Sequence, residues 1–219
     1  MHRTIINLIK IQNQLKNRNQ SLNKNPPKII AVSKTFSEED IIPLIEHDHI
    51  DYGENKIQEA LEKWTSLKVR YPQIKLHMLG KIQTNKVKYL LPLFDYIHSL
   101  DNLKLAEKIA NEEIKKNKKL KIFIQVNIAN EQQKNGIHID ELENFYITCS
   151  NNFKLNIVGL MCLPPISEDP KKYFLLLQQL SNKLKINDLS MGMSNDYLDA
   201  AECGSTYLRI GSSIFGSRN

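Results

Sequence analysis

The run "PKIIAVSKTFSEEDI", residues 27–41, brings an apolar segment to an end on a hydroxyl and an ammonium. Ile29, Ile30, Ala31 and Val32 read as a strand buried on both faces, followed at once by Ser33 and Lys34. The two-residue alternation of a strand sets Ile30, Val32 and Lys34 on one face and Ile29, Ala31 and Ser33 on the other. Two readings of Lys34 follow. In one, its stem lies along apolar surface and its head reaches water. In the other, desolvation disfavours the ammonium, lowers its pKa and frees the amine to attack an aldehyde as a Schiff-base lysine.

Two further stretches carry anion-binding chemistry. In "LRIGSSIFGSRN", a segment bearing Arg209 runs into Gly211, Ser212 and Ser213. A glycine followed by hydroxyls at the opening of a last helical turn offers backbone N–H groups and side-chain donors to an anion. "LSMGMSND" adds Met193 and Ser194 on the preceding loop, so two loops could grip one phosphate. The competing reading is plain turn chemistry, with glycine and serine closing a loop. A lysine for an aldehyde, two loops for a phosphate and an arginine between them together describe pyridoxal 5′-phosphate.

These residues need elements to hold them. Short apolar runs at 28–34, 50–53, 75–79, 96–100, 122–128, 156–161, 188–191 and 207–210 read as strands. Helical patterns fall at 56–66, 102–116, 139–150 and 170–183, with a short one in "NDYLDAAEC". Ser37, followed by Glu38, Glu39 and Asp40, reads as the cap of a first such helix. Before them, Ile5, Leu8, Ile9, Gln12 and Leu15 share one face of an amphipathic N-terminal helix. Strand–helix alternation with nearly continuous apolar strands implies a parallel sheet covered by helices. Eight units match an α/β fold of one kind, a single (β/α)8 TIM-type barrel spanning residues 1–219 as one domain with an extra N-terminal helix. An open doubly wound sheet is the alternative, and the G-x-G-x-x-G turn it requires is absent after the first strand. Barrel chemistry sits at the C-terminal ends of the strands. Lys34, the Gly53-Glu54-Asn55 run, Gly80, Asn127, the Met193-Ser194 pair and the Gly211-Ser212 pair all fall there.

The totals are those of a globular protein: 219 residues, 41% hydrophobic and 25% charged, with net charge +6. No apolar run reaches the length of a membrane span. The lysines are scattered, as in "EEIKKNKKLKI", where they read as a solvated helix end, and no aromatic-interleaved basic stripe suggests nucleic acid. Cys149, Cys162 and Cys203 fit neither a disulfide framework nor a zinc site, so a reducing cytoplasm is the expected compartment. His47 and His49 around Asp48 suggest a helix end rather than a metal pair. His98 and His138 show no partner, Glu54 and Glu59 at i, i+5 suggest no acid–base role, and Trp64 is expected to pack on the outside of the barrel.

Taken in order, "IIAVSKTF", "DYGENKIQEALEKW", "LHMLGKIQTNK", "HSLDNLKLAEKI", "IFIQVNIANEQQKNGI", "IVGLMCLPP", "LSMGMSNDY" and "STYLRIGSSIFGSR" resemble the pyridoxal phosphate homeostasis protein family, over roughly residues 28–218. That family resembles the N-terminal barrel of alanine racemase. The resemblance implies that Lys34 carries the cofactor as an internal aldimine and that Ser194, Gly211 and Ser212 hold its phosphate. It implies Arg209 at the pyridine nitrogen, Asn55 beside the ring, and His77 and Met193 as near neighbours. Tyr52 stands where the family usually has Phe, Ser212 where Thr is frequent, and Cys162 in place of a small residue. The function implied is cofactor holding and delivery in vitamin B6 homeostasis, with apo enzymes that use pyridoxal phosphate as partners; an unextended barrel with a polar exterior is compatible with a monomer.

A racemase-like enzyme is the alternative. The chain stops at Asn219, just past the phosphate loop, whereas the resembled racemases add a domain bearing a second catalytic base. Arg209, a donor that stays protonated, favours an unprotonated ring nitrogen and a weak electron sink. Both features favour holding over turnover, the absent domain more than the arginine, since the resembled racemases also use arginine there. A third reading, a Schiff-base aldolase acting on a phosphorylated sugar, differs in colour: a pyridoxal adduct is yellow and an aldolase lysine is not.

Overall fold

The structure, a computed structural model, describes residues 1–21, 25–131 and 135–217. Gln132, Gln133 and Lys134 of the fifth resembling stretch, and Arg218 of the last, lie outside the described residues. Strands β1 (Lys28–Val32), β2 (Asp51–Glu54), β3 (Lys75–Met78), β4 (Tyr96–Leu100), β5 (Lys121–Val126), β6 (Ile157–Cys162), β7 (Asp188–Ser190) and β8 (Tyr207–Ile210) pair in that order. All the pairings are parallel, and β8 returns to β1 with Lys28 opposite Tyr207 and Ile30 opposite Arg209, closing the barrel. Closure pairs each strand on both sides, and with helices outside and side chains within, the strands are largely buried on both faces; β1 and β5 read as nearly continuous apolar runs.

The two faces feed two cores. Inside, Ile30, Tyr96, Phe123, Met161 and Tyr207 pack on one another. Outside, the alternate residues meet the helices α1 (Arg3–Ser21), α2 (Glu38–Glu46), α3 (Ile57–Arg70), α4 (Leu90–Leu93), α5 (Leu103–Lys116), α6 (Leu142–Ile147), α7 (Pro170–Leu184), α8 (Tyr197–Glu202) and α9 (Ser212–Phe215). Trp64 of α3, fully buried, packs its ring 4.8 Å from that of Tyr52 in this outer layer, as expected. The N-terminal helix α1 buries Leu8, Ile11 and Leu15 against α2, α8 and α9. It also ties down the last turn: Arg3 donates to the Phe215 carbonyl at 2.8 Å and Asn7 to that of Ile214 at 2.9 Å.

Several details differ from the sequence expectation. Ser37 precedes α2 in extended conformation, and its side chain makes no capping bond; the three acids of the first turn answer the exposed N–H groups by charge alone. The helix expected at 139–150 is a 3-10 turn (Ile139–Glu141), then α6, then a π turn (Thr148–Asn152). Between β3 and β4, a 3-10 segment (Thr84–Tyr89) leads into α4, where Pro92 keeps the helical pattern too short to stand out. The solvated lysine cluster is only partly solvated: Lys118 turns back to the Leu91 and Phe94 carbonyls, and Lys119 to the buried carboxylate of Glu113.

Candidate functional site

A cavity of about 780 Å³ opens at the C-terminal ends of the strands. Lys34, Asn55, Met193, Ser194, Arg209, Gly211 and Ser212 all line it. Lys34 reaches it by strand alternation carried one step past β1. Ser33 N–H still donates to Gly53 O at 3.0 Å, in ladder fashion, while Ser33 Oγ turns outward and donates to Glu54 Oε1 at 2.7 Å. Ser33 therefore faces the helices and the next side chain faces the mouth.

The turn around Lys34 is braced from behind. Glu54 Oε1 also accepts from Trp64 Nε1 at 2.9 Å and from Lys63 Nζ at 3.1 Å. Lys63 Nζ donates in addition to the Ser33 carbonyl at 2.9 Å and to Glu59 Oε1 at 3.1 Å. Glu59 Oε1 in turn accepts from the Thr35 N–H at 2.5 Å, and Thr35 sits at φ +69°, a left-handed conformation unfavourable for a β-branched residue. Burial alone would raise the Glu59 pKa, but the Thr35 N–H and the Lys63 ammonium together hold it below the ordinary carboxylate range. Sequence reasoning set Glu54 and Glu59 aside because they share no helix face. The signal it passed over was the Glu59–Lys63 pair at i, i+4 beside a tryptophan whose N–H needs an acceptor once buried.

Opposite Lys34 stands the β7–β8 side. Gly192 turns the chain at φ +92°, where a Cβ would lie 2.5 Å from that of Ala200, so only glycine fits. The loop then closes on itself, with Met193 N–H donating to Asp196 Oδ1 at 2.6 Å and Asp196 N–H to the Met193 carbonyl at 3.2 Å. It is tied to the next loop by Ser213, whose N–H donates to Ser194 Oγ at 3.2 Å. Ser194 is thereby held beside Gly211 and Ser212, joining the two expected anion loops. On the third side, Gly80 lets the end of β3 approach Asn55; a Cβ there would lie 2.1 Å from the Asn55 carbonyl oxygen.

Arg209 rises between these loops from inside the barrel, 6% exposed. It donates to Ser190 Oγ at 2.7 Å and to the Cys162 carbonyl at 2.9 Å. Burial lowers its pKa, yet a guanidinium remains charged. Its further N–H groups leave it donors for a ligand acceptor. The Cys162 thiol beside it is pushed up by burial to about 12, a small core residue with little thiolate.

His77 does not line the cavity. It lies lower in the barrel, fully buried, stacked on Tyr96 at 4.2 Å and within 3.0 Å of Asp51 Oδ1. His98, for which the sequence suggested no partner, contacts both His77 and Ser190. His138 Nδ1 lies 2.5 Å from Asn130 Oδ1. His47 caps the C-terminal end of α2, and His49 bonds the Asp51 carbonyl.

Fold and mouth together define a barrel of the alanine racemase N-terminal type, and the sequence profile of the family described as "Alanine racemase, N-terminal domain" matches residues 6–219. A protein of Aquifex aeolicus named pyridoxal phosphate homeostasis protein is 36% identical over 204 residues, 89% of each chain. The human protein of the same name is 34% identical over 232 residues, covering 96% of this chain and 83% of that one. PipY of Synechococcus elongatus, solved with pyridoxal phosphate bound, superposes with a TM-score of 0.81 at 29% identity, covering 92% of this chain and all of that one. The chain belongs to the pyridoxal phosphate homeostasis protein family.

Proposed function

We infer that this chain binds pyridoxal 5′-phosphate in the cavity at the barrel mouth and serves vitamin B6 homeostasis by holding the cofactor and passing it on. The observation that carries this reading is the joint presence, around one cavity, of a braced lysine, a buried arginine and hydroxyls from two adjoining loops. The donor set suits the ligand: an amine for the aldehyde, N–H and hydroxyl groups for a phosphate, and a cationic donor for the ring nitrogen. The names of the relatives and the cofactor bound to PipY point the same way.

When bound, pyridoxal phosphate supplies an electrophilic aldehyde and a ring able to accept electrons. Lys34 is the residue that would hold the cofactor's aldehyde end, through its amine. Ser194, Gly211 and Ser212 would hold the phosphate, Asn55 would line the ring, and Met193 would be a near neighbour. Arg209, a donor only, would face the ring nitrogen and favour its unprotonated form, a weaker electron sink that suits holding the cofactor. His77 acts from below, without touching the ligand.

An absorbance spectrum before and after borohydride treatment, followed by peptide mapping, tests the reading. The expected result is a yellow protein whose colour is lost on reduction, with the pyridoxyl mass on Lys34. An adduct elsewhere, or none, overturns it. Lys34→Ala should abolish the colour, although phosphate contacts retain some ligand noncovalently. For delivery, loaded protein mixed with an apo enzyme should restore activity faster than spontaneous release supplies the cofactor; equal rates refute transfer. We read the working unit as a cytoplasmic monomer. Sedimentation should show a single species near 25.4 kDa.

A further inference from the structure

Beneath the cavity a line of hydrogen bonds crosses the inside of the barrel, joining residues of β2, β3, β4, β7 and β8. At the floor, where the strands begin, His77 Nε2 lies 3.0 Å from Asp51 Oδ1. His77 Nδ1 is 2.9 Å from His98 Nε2, and His98 Nδ1 is 2.8 Å from Ser190 Oγ. Ser190 Oγ accepts from Arg209 at 2.7 Å. His77, His98 and Ser190 are fully buried.

The two ends dictate the direction of every bond. An ionised carboxylate only accepts, so His77 donates from Nε2. A neutral His77 then has its lone pair on Nδ1, so His98 must donate from Nε2. A neutral His98 has its lone pair on Nδ1, so the Ser190 hydroxyl must donate to it. That leaves the Ser190 oxygen to accept, and the guanidinium, which only donates, supplies the proton. No other arrangement of neutral imidazoles satisfies all four contacts. Burial holds both histidines below their ordinary pKa, His98 well below it, with Arg209 among the charges that disfavour its cation. Burial alone would raise the pKa of Asp51, but the bond from His77 brings it below the usual range.

Packing prevents the rings from turning. His77 stacks on Tyr96 and His98 on Phe123, each with ring centroids 4.2 Å apart. Among the described residues, the hydrogen-bond partners of Arg209 are Ser190 and the Cys162 carbonyl, neither of them charged. The guanidinium is thus aimed by two acceptors, one of which is itself fixed by the line below it.

We propose that Asp51, His77, His98 and Ser190 are positioning residues, forming a one-way relay from a carboxylate at the barrel floor that orients the Arg209 guanidinium at the cavity. What Arg209 then faces rests on the reading of the cavity as a pyridoxal phosphate site; the relay itself does not. The relay orients and does not conduct, because the arginine at its upper end releases no proton. Commitment of the Ser190 proton to His98 leaves the oxygen lone pairs toward Arg209, and each bond polarises the next.

The test has two arms. In the first, the full chain is labelled with ¹⁵N-histidine and long-range ¹H–¹⁵N spectra are recorded at neutral pH without added cofactor. Both His77 and His98 should be neutral with the proton on Nε2. Ser190→Ala should shift the His98 Nδ1 signal, and Asp51→Asn, which keeps an acceptor oxygen and removes the charge, should shift it from the far end of the barrel. A cationic ring, an Nδ1–H tautomer or a His98 signal indifferent to both variants overturns the relay. In the second arm, pyridoxal phosphate is titrated into wild type, Ser190→Ala and Ser190→Thr, with thermal melts verifying that each is folded. Ser190→Ala should bind about tenfold more weakly, the loss of one hydrogen bond to a charged group, and Ser190→Thr should recover most of it. Equal affinity in all three overturns the positioning role. A wild type that takes up no cofactor overturns the cavity reading instead, and the first arm still decides the relay.

Discussion

Ser33, Lys34 and Thr35 meet three different surroundings within three residues. Ser33 is bonded to a buried carboxylate, Lys34 lines the mouth, and Thr35 is held left-handed by Glu59. Lys63 links these contacts, with its side chain 10% exposed and that of Glu54 fully buried. Lys63→Met leaves the Glu54 carboxylate buried without its counter-charge, so urea unfolding should show a loss of about 3–5 kcal/mol. A second prediction concerns pH. Burial keeps His49, His77 and His98 below their ordinary pKa. In the unfolded chain each takes a proton near pH 6.5, while the folded one stays neutral, so acid favours unfolding. The stability they confer is complete above about pH 6.5 and declines below it, by up to about 1.4 kcal/mol per pH unit for each histidine kept neutral. Urea unfolding at pH 7.5 and 5.5 should show this acid limb, and His98→Gln should flatten it while lowering stability throughout.

At the scale of elements, caps and turns set the loops. Asn102 accepts from the Leu105 N–H at 2.8 Å and caps α5, whereas Ser37 makes no such bond. Asn102→Ala should therefore cost about 1 kcal/mol in chemical denaturation, and Ser37→Ala much less. Gly192→Ala combines a left-handed backbone with a contact into α8, so it should destabilise by more than the roughly 1 kcal/mol that a Gly→Ala change gains where the backbone is compatible. Each expected strand is present within a few residues of its place; burial on both faces writes near-continuous apolar runs in strands such as β1 and β5, while shorter ones such as β2 and β7 were legible through their place in the strand–helix alternation. The segment between β3 and β4 was not legible, since a 3-10 stretch and a four-residue helix holding Pro92 present no full amphipathic period. Ser37 looked like a cap by residue type, but capping is decided by where a side chain turns, and that is a tertiary matter.

For the whole molecule, α1 is the outer clasp of the barrel's last turn. Leu8, 1% exposed, anchors it. Leu8→Ala should lower stability by about 2–5 kcal/mol. Because Arg3 and Asn7 hold the Phe215 and Ile214 carbonyls, the same change should raise amide hydrogen exchange in the Gly211–Gly216 turn before the β1–β2 region responds. Unchanged exchange in that turn would separate the helix from the loop.

By itself the sequence determined the strand order, the barrel class and the place of Lys34 and the two Gly/Ser loops at the strand ends, because these depend on local pattern: alternation places Lys34, and glycine and serine mark the two loops. The tertiary structure alone decided that Glu54 and Glu59 brace Lys34 and that His77 lies under the cavity instead of within it. It also decided that Asp51, His98 and Ser190 stand in line with Arg209. Those residues are separated by tens of positions along the chain, and closing a sheet into a barrel turns their inward faces toward a common axis, a convergence that no local pattern records.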